Sequence, residues 1–278
     1  MYPPVDPIVF EFGPIALRWY GLLMVSAIFI GSSLASQYIG RKGGDPDDFW
    51  DMLVWVLVPA LFGARLYYVF IQSPRGPSGL GYYLSHPGSI FRIWEGGIHI
   101  FGAFIFGGIA VWLYTKLRQL PLLTYLDAIG LALPISQAIG RWGNFINQEL
   151  YGPPTDLPWG LYIDPAHRIP PFNDLVAFPE STRFQPLFLY ESLWNFLGFA
   201  IIFWISRRFQ RELQPGDLML CYLLWYPLGR FGLEFLRTDS WFFPGTPFNV
   251  VHILSSVAIV GAAIVLYSRH GFKLRQNR

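Results

Sequence analysis

Gly140-Arg141-Trp142-Gly143-Asn144-Phe145-Ile146-Asn147-Gln148-Glu149-Leu150-Tyr151-Gly152 decides how this chain is read. The stretch closes a strongly apolar segment and places a cation, asparagine amides and a carboxylate at its end. A bilayer makes such groups expensive, so their presence points to chemistry. If the stretch is helical throughout, Arg141, Asn144, Gln148 and Gly152 form one stripe, with Trp142 and Phe145 pointing elsewhere. Its three glycines permit close backbone approach to a ligand. The competing reading is an interfacial helix end whose polar groups only cap it or snorkel to water, but a cap rarely needs so many polar types.

Outward from this stretch the chain has the composition of a membrane protein. Of its 278 residues, 53% are hydrophobic, 18% aromatic and only 14% charged, with a mean hydropathy of +0.37. Abundant tryptophan and tyrosine suit rings held at headgroup level. A net charge of +2 argues against nucleic acid. The single cysteine, Cys221, excludes internal disulfides and thiolate metal clusters. The first residues carry no basic n-region, so no cleavable signal peptide is expected.

A span needs roughly 20 mostly apolar residues. Stretches near Ala16–Tyr38, Trp50–Gln72, Gly96–Tyr114, Tyr125–Phe145, Leu187–Ser206, Asp217–Leu236 and Asn249–Ser268 qualify, some only if a buried charge is tolerated. The expected fold is therefore all-α: a polytopic membrane protein of about seven transmembrane helices. It forms a single integral membrane domain over residues 1–278, with no internal repeat. Orientation follows from lysine and arginine placement. Arg41 and Lys42, Lys116 and Arg118, Arg207, Arg208 and Arg211 fill short connections. Arg269, Lys273, Arg275 and Arg278 fill the tail. The opposite connections hold Arg75, Arg92, Arg168, Arg183 and Arg237 over longer loops. The N-terminus is then outside and the C-terminus cytoplasmic. The connection near residues 146–186 becomes an outward-facing loop without obvious strands, of a length that is more often functional than a spacer.

On this topology the unusual polar residues converge on the outer layer. Tyr20, Arg65, Glu95, His99, Arg141 to Glu149, Tyr190, Glu191, Arg230, Glu234 and Arg237 all fall at outer ends of segments. Asp127, near an inner end, is the exception and reads as a cap. Arg230, Glu234 and Arg237 share a helix face. Taken singly, each has a plainer reading: a packing ion pair for Arg230/Glu234, an aromatic-belt anchor for Tyr20, a structural arginine for Arg65, a packed histidine for His99. Together, arginines, amides and glycines in one layer suit an anionic headgroup, since guanidinium forks match phosphate oxygens. No nucleotide-type glycine loop, metal-spaced cluster or serine elbow is visible. Cys221 lies toward the inner half of its segment and is rejected as a nucleophile.

Residues 140–152 resemble the hallmark motif of bacterial prolipoprotein diacylglyceryl transferases, G-R-x-G-N-F-x-N-x-E-x-x-G, at all eight fixed positions. The resemblance continues in Arg18-Trp19-Tyr20-Gly21, Gly63-Ala64-Arg65, Trp94-Glu95-Gly96-Gly97, Leu189-Tyr190-Glu191 and Gly229 to Arg237, in the family's order. It implies transfer of the diacylglyceryl group of phosphatidylglycerol to the lipobox cysteine of secreted prolipoproteins, forming a thioether and releasing glycerol phosphate. It implies no cofactor and no metal. The implied partners are phosphatidylglycerol, lipobox signal peptides and membrane lipids. The implied location is the bacterial cytoplasmic (inner) membrane.

By the same resemblance the catalytic set is Tyr20, His99, Arg141, Asn144, Glu149, Arg230 and Glu234. Lipid binding falls to Arg65, Arg141, Asn147, Gly152, Arg230 and Arg237. Two departures stand out. The family's usual histidine position is Phe101 here, with His99 two residues earlier. The two would point roughly 160° apart on a helix but share a side in extended backbone. Gln185 to Glu191 departs from the family's H-P-[ST]-Q-L-Y-E. Two other classes compete. A lipid or anion transporter would continue polar residues through the inner halves and favour inverted repeats. A noncatalytic signal-peptide receptor leaves the arginines unexplained.

Overall fold

The computed structural model describes residues 1–4, 6–12, 15–72, 79–93, 96–238, 240–243 and 245–276. Arg75, Trp94, Glu95 and Arg278, named above, lie outside them. The chain is mostly helical. Two short strands, β1 (Ile8–Phe12) and β2 (Ile15–Arg18), pair antiparallel and lead directly into α1 (Trp19–Arg41). There follow α2 (Pro46–Tyr67), whose end continues as a π turn over Tyr68–Gln72, the short α3 (Leu80–Ser85), α4 (Ile100–Leu117) and α5 (Leu122–Ile146). Strands β3 (Leu161–Tyr162) and β4 (Arg183–Phe184) precede α6 (Leu187–Arg208), α7 (Asp217–Glu234) and α8 (Val250–Gln276).

Among the described residues six helices are long and apolar enough to cross a membrane: α1, α2, α4, α5, α6 and α8. The seventh expected span corresponds to α7, which is helical over 18 residues but, carrying Asp217, Arg230 and Glu234, is not among the six. The expected boundaries hold to within a few residues, except that α8 continues to Gln276, eight residues beyond the expected end at Ser268. The connection expected to face outward does contain strands, though only two residues each, too short to leave a periodic signal.

The contacts divide the chain into two units. One comprises Met1–Ala35 with Leu126–Arg278, the other Ser36–Tyr125. In the second, Asp45 caps α2 by accepting from Asp47 N, with Pro46 in the first turn. α2 and α4 pack closely through glycines: a Cβ on Gly102 would strike the Gly63 carbonyl, and one on Gly63 the Phe106 ring. Small residues allow such approach where lipid gives no hydrophobic drive.

In the first unit, α5, α6, α7 and α8 present polar groups at both ends. At one end Asp127 of α5 accepts from Gly216 N (2.7 Å), Leu218 N (2.8 Å) and Met219 N (3.1 Å), so it caps α7 rather than its own helix. Beside it Asp217 holds Arg269 (3.0 Å) and His270 (2.8 Å) of α8. The opposite end carries the hallmark stretch and the long connection between α5 and α6. That connection has its own core of Tyr151, Leu161, Ile163, Phe172, Phe184 and Phe188. Arg168, 5% exposed, ties it by donating to the carbonyls of Ile163, Phe178, Pro179 and Glu180. The Tyr151 hydroxyl accepts from Ile169 N at 2.6 Å, and burial pushes this phenol above its usual pKa.

Candidate active site

The hallmark stretch does not remain helical. α5 ends at Ile146, and Asn147 N donates the last helical bond to Gly143 O (3.0 Å). Gln148 and Leu150 then take left-handed backbone, with φ of 56° and 57°. Such conformations are costly for residues with a Cβ and persist only where the surroundings enforce them. The expected stripe therefore stops after Asn144. Gln148 turns away to accept from Asp164 N (2.8 Å). Glu149, held between the two strained residues, folds back instead. Its amide donates to Asn144 O (3.0 Å), and its Oε1 accepts from Asn144 Nδ2 (2.8 Å) and Asn147 Nδ2 (3.4 Å). Arg141 Nη1 in turn donates to Asn144 Oδ1 (3.4 Å). Arg141, Asn144, Asn147 and Glu149 thus form one polar relay at the end of α5.

Glu191, in the first turns of α6, joins this relay to α7. Arg141 Nε lies 2.6 Å from its Oε2, and Arg230 Nη1 and Arg237 Nη1 each lie 3.8 Å from its Oε1. Three guanidinium groups thus share one carboxylate that is 4% exposed. Arg230 Nη2 also meets Glu234 Oε2 at 2.8 Å, and Asn249 Nδ2 donates to Glu234 Oε1 (2.9 Å). Both Glu191 oxygens and Arg230 Nη1 are buried without an aligned hydrogen bond. Their contacts are electrostatic and leave directional capacity for a further group. α7 itself ends at Glu234. A tight turn, with Arg237 N donating to Glu234 O (3.1 Å), carries Arg237 back to the same carboxylate.

Tyr20, in the first turn of α1, lies against the hallmark stretch. A Cβ on Gly143 would come within 2.5 Å of the Tyr20 ring, so this position requires glycine. Gly152 is pinned through its amide to Gln185 O (2.9 Å), and a Cβ there would sit 3.0 Å from Leu236 O. Gln185, at the departing position, donates to Thr155 Oγ1 (3.1 Å) and accepts from the Tyr190 hydroxyl (2.7 Å). Trp159 Nε1 donates to the same hydroxyl (2.9 Å). An amide thus fits a hydroxyl network here. A cavity of about 570 Å³ opens beside Glu234, Arg237, Asn249 and His252, walled by Phe235, Phe242 and Phe248.

Arg65 and His99 belong to the other unit and form a separate set. Arg65, 3% exposed, donates to Ser89 O (2.7 Å), Ile90 O (3.0 Å), Gly96 O (2.6 Å) and Gly97 O (3.0 Å). It uses its fork on backbone carbonyls. Gly96 and Gly97 are both left-handed, and a Cβ on Gly97 would strike Arg65. His99 N donates to Ala64 O (3.0 Å), and His99 is extended at the N-cap of α4, with Nδ1 accepting from Phe101 N (3.4 Å). The extended backbone puts the His99 and Phe101 rings on one side, 5.3 Å apart and both against Tyr67.

Of the residues assigned from sequence, Tyr20, Arg141, Asn144, Asn147, Glu149, Gly152, Arg230, Glu234 and Arg237 lie in one unit. Arg141, Arg230 and Arg237 converge on Glu191, while Asn144, Asn147 and Glu149 bond around Arg141. Glu191 and Asn249 were not assigned. The signal for Glu191 was its place at the head of an apolar segment in the layer that holds the arginines. Asn249 had none, because an asparagine heading a helix reads first as a cap, and it does accept from Val251 N and His252 N.

Fold and site define a polytopic membrane protein with a guanidinium–carboxylate cluster at one end of its helices. The family profile described as prolipoprotein diacylglyceryl transferase matches residues 7–268, nearly the whole chain. The phosphatidylglycerol–prolipoprotein diacylglyceryl transferase of Chloroflexus aggregans is 40% identical, aligning over 97% of this chain and 92% of its own length. That of Synechococcus elongatus is 40% identical over 96% and 88%. That of Pediococcus pentosaceus is 38% identical over 95% and 90%. The chain belongs to the prolipoprotein diacylglyceryl transferase family.

Proposed function

We propose that this membrane enzyme transfers the diacylglyceryl group of phosphatidylglycerol to the lipobox cysteine of a prolipoprotein. The observation that carries the reading is the convergence of Arg141, Arg230 and Arg237 on Glu191. A set of guanidiniums fixed this way can receive a phosphodiester without reorganising, which is where electrostatic catalysis gains most. Asymmetric lysine and arginine placement supports an outward-facing cluster, with the N-terminus outside and the tail cytoplasmic in the bacterial inner membrane.

In this reading the cysteine sulfur attacks the glycerol carbon that carries the phosphate ester oxygen. A carbon–sulfur bond forms and the carbon–oxygen bond breaks. The electron pair leaves on glycerol phosphate, whose added charge falls among the guanidiniums. Arg230 Nη1, which has no hydrogen bond of its own, keeps a donor that such an oxygen can accept from. Glu149 and Asn144 hold Arg141, and Glu234 holds Arg230. Tyr20 packs the hallmark stretch from outside, and Gly152 lets the outward connection close on the end of α7. Arg65 acts by holding the Gly96–Gly97 turn.

A free thiol has a pKa near ~8.5, so the proton must go to a base or be released under a cationic field. His99 is the candidate acceptor. Its Nδ1 lone pair faces Phe101 N, so proton uptake there opens the cap on α4. His99→Gln is expected to lose much of the rate, yet less than the full factor of about 10²–10⁴ that a lone base supplies, because the guanidinium field still favours thiolate.

The test uses proteoliposomes of the purified protein with phosphatidylglycerol and two peptides, one with cysteine and one with serine at the lipobox position. Only the cysteine peptide should become membrane-bound. Equal capture of both, or of neither, refutes the reading.

A further inference from the structure

α6 and α7 carry the same short pattern, a tryptophan four residues before a glycine: Trp194 to Gly198 and Trp225 to Gly229. The structure joins them reciprocally. Trp194 Nε1 donates to Trp225 O (3.0 Å), and Trp225 Nε1 donates to Trp194 O (2.9 Å). The two indoles stack, with centroids 4.5 Å apart and planes at 18°. Each ring lies over the other helix's glycine: a Cβ on Gly229 would strike Trp194, and one on Gly198 would strike Trp225. Both contacts obey a single antiparallel register, with 194 opposite 229 and 198 opposite 225.

We propose that this double tryptophan–glycine clasp is a positioning device that fixes the register in which Glu191 meets Arg230 and Arg237. Trp194 follows Glu191 by three residues, and Gly229 directly precedes Arg230. In the clasped register Glu191 falls opposite position 232, between Arg230 and Glu234. A slip of one residue shifts the helices by about 1.5 Å. That is enough to break the 3.8 Å contacts from Arg230 and Arg237. Lipid offers no hydrophobic drive to set such a register, so paired hydrogen bonds and glycine contacts must do so. Ring packing alone would tolerate sliding, whereas two indole donors bound to two particular carbonyls do not. Trp194 and Trp225 touch no substrate in this account; they act through Glu191 and its arginines.

The proposal rests on the transfer reading above, and its experiment separates the two. Trp194→Phe and Trp225→Phe keep a ring and remove one donor each. They are measured alone and combined with Glu191→Gln, using a short-chain phosphatidylglycerol and a lipobox peptide. Losing one interhelical hydrogen bond should raise KM for the lipid by about threefold. The peptide KM and the thermal midpoint should stay near wild type. In the Glu191→Gln background the same changes should add little, because the group they position is gone. Gly229→Ala should cost more, and Trp194→Phe should restore part of that loss by vacating the space. Unchanged lipid KM in both single variants overturns the proposal, as does a full, additive effect on top of Glu191→Gln. Wild-type protein that makes no thioether refutes the transfer reading instead. The clasp is then judged on lipid Kd, where the same non-additive pattern is expected and an unchanged Kd overturns it.

Discussion

Glu191→Gln removes the one charge that three guanidiniums share while keeping the side chain's size. Arg141 sits at 2.6 Å, and Arg230 and Arg237 at 3.8 Å. At an effective dielectric of about 20, each 3.8 Å contact is worth about 4 kcal/mol before desolvation. Desolvation cancels much of this, and removing one partner of a buried pair costs about 3–5 kcal/mol in total. Arg141, 22% exposed at its side chain, recovers part of its loss from water, while Arg230 and Arg237, at 15% and 12%, recover less. If about 3 kcal/mol is lost from the transition state, kcat/KM falls about a hundredfold. The assay is initial-rate transfer in proteoliposomes, alongside thermal unfolding in detergent. Glu191→Asp, which keeps the charge but retracts it, should fall between the two. Transfer by Glu191→Gln within about twofold of wild type would refute the claim that this carboxylate organises the arginines.

Three further outcomes follow from the same geometry. Arg141→Lys keeps the charge but loses the fork that reaches Glu191 and Asn144, so transfer should fall strongly, whereas Arg41→Lys at the end of α1 should be nearly silent; equal rates in both would make Arg141 dispensable. Cys221→Ala should retain transfer, because Cys221 faces the cavity lined by Asp217 and His270 rather than the arginine cluster; loss of transfer in folded protein would overturn its exclusion as a nucleophile. Asp127→Ala strips three backbone donors of their acceptor at the start of α7, and a lost cap costs about 0.5–2 kcal/mol. It should lower the thermal midpoint with lipid KM unchanged, and the reverse pattern would contradict its role as a cap.

Six spans were legible because apolar runs of the right length are unambiguous, and α7 was legible as a helix because Arg230 and Glu234 share one face. Arg230, Glu234 and Arg237 were placed together by helical spacing, and they meet even though the helix ends at Glu234. The hallmark stretch was less transparent. Nothing in Gln148 or Leu150 announces left-handed backbone, since glycine is the usual signal for it. The turn that brings Glu149 back to Asn144 was therefore hidden. Arg65 read as a lipid ligand by resemblance, yet its donors go to Ser89, Ile90, Gly96 and Gly97, carbonyls that sequence cannot place. Glu191 was visible as a charge in the right layer. That three arginines share it depends on helix registers that only the fold supplies.

The central claim is that the guanidinium cluster serves carbon–sulfur bond formation with glycerol phosphate as the leaving group. The most direct measurement is mass spectrometry of both products after incubating the purified protein with phosphatidylglycerol and a lipobox peptide. The account predicts a peptide bearing one diacylglyceryl group in thioether linkage and an equal amount of glycerol phosphate. A peptide carrying a single acyl chain, or glycerol phosphate released without modified peptide, would contradict it.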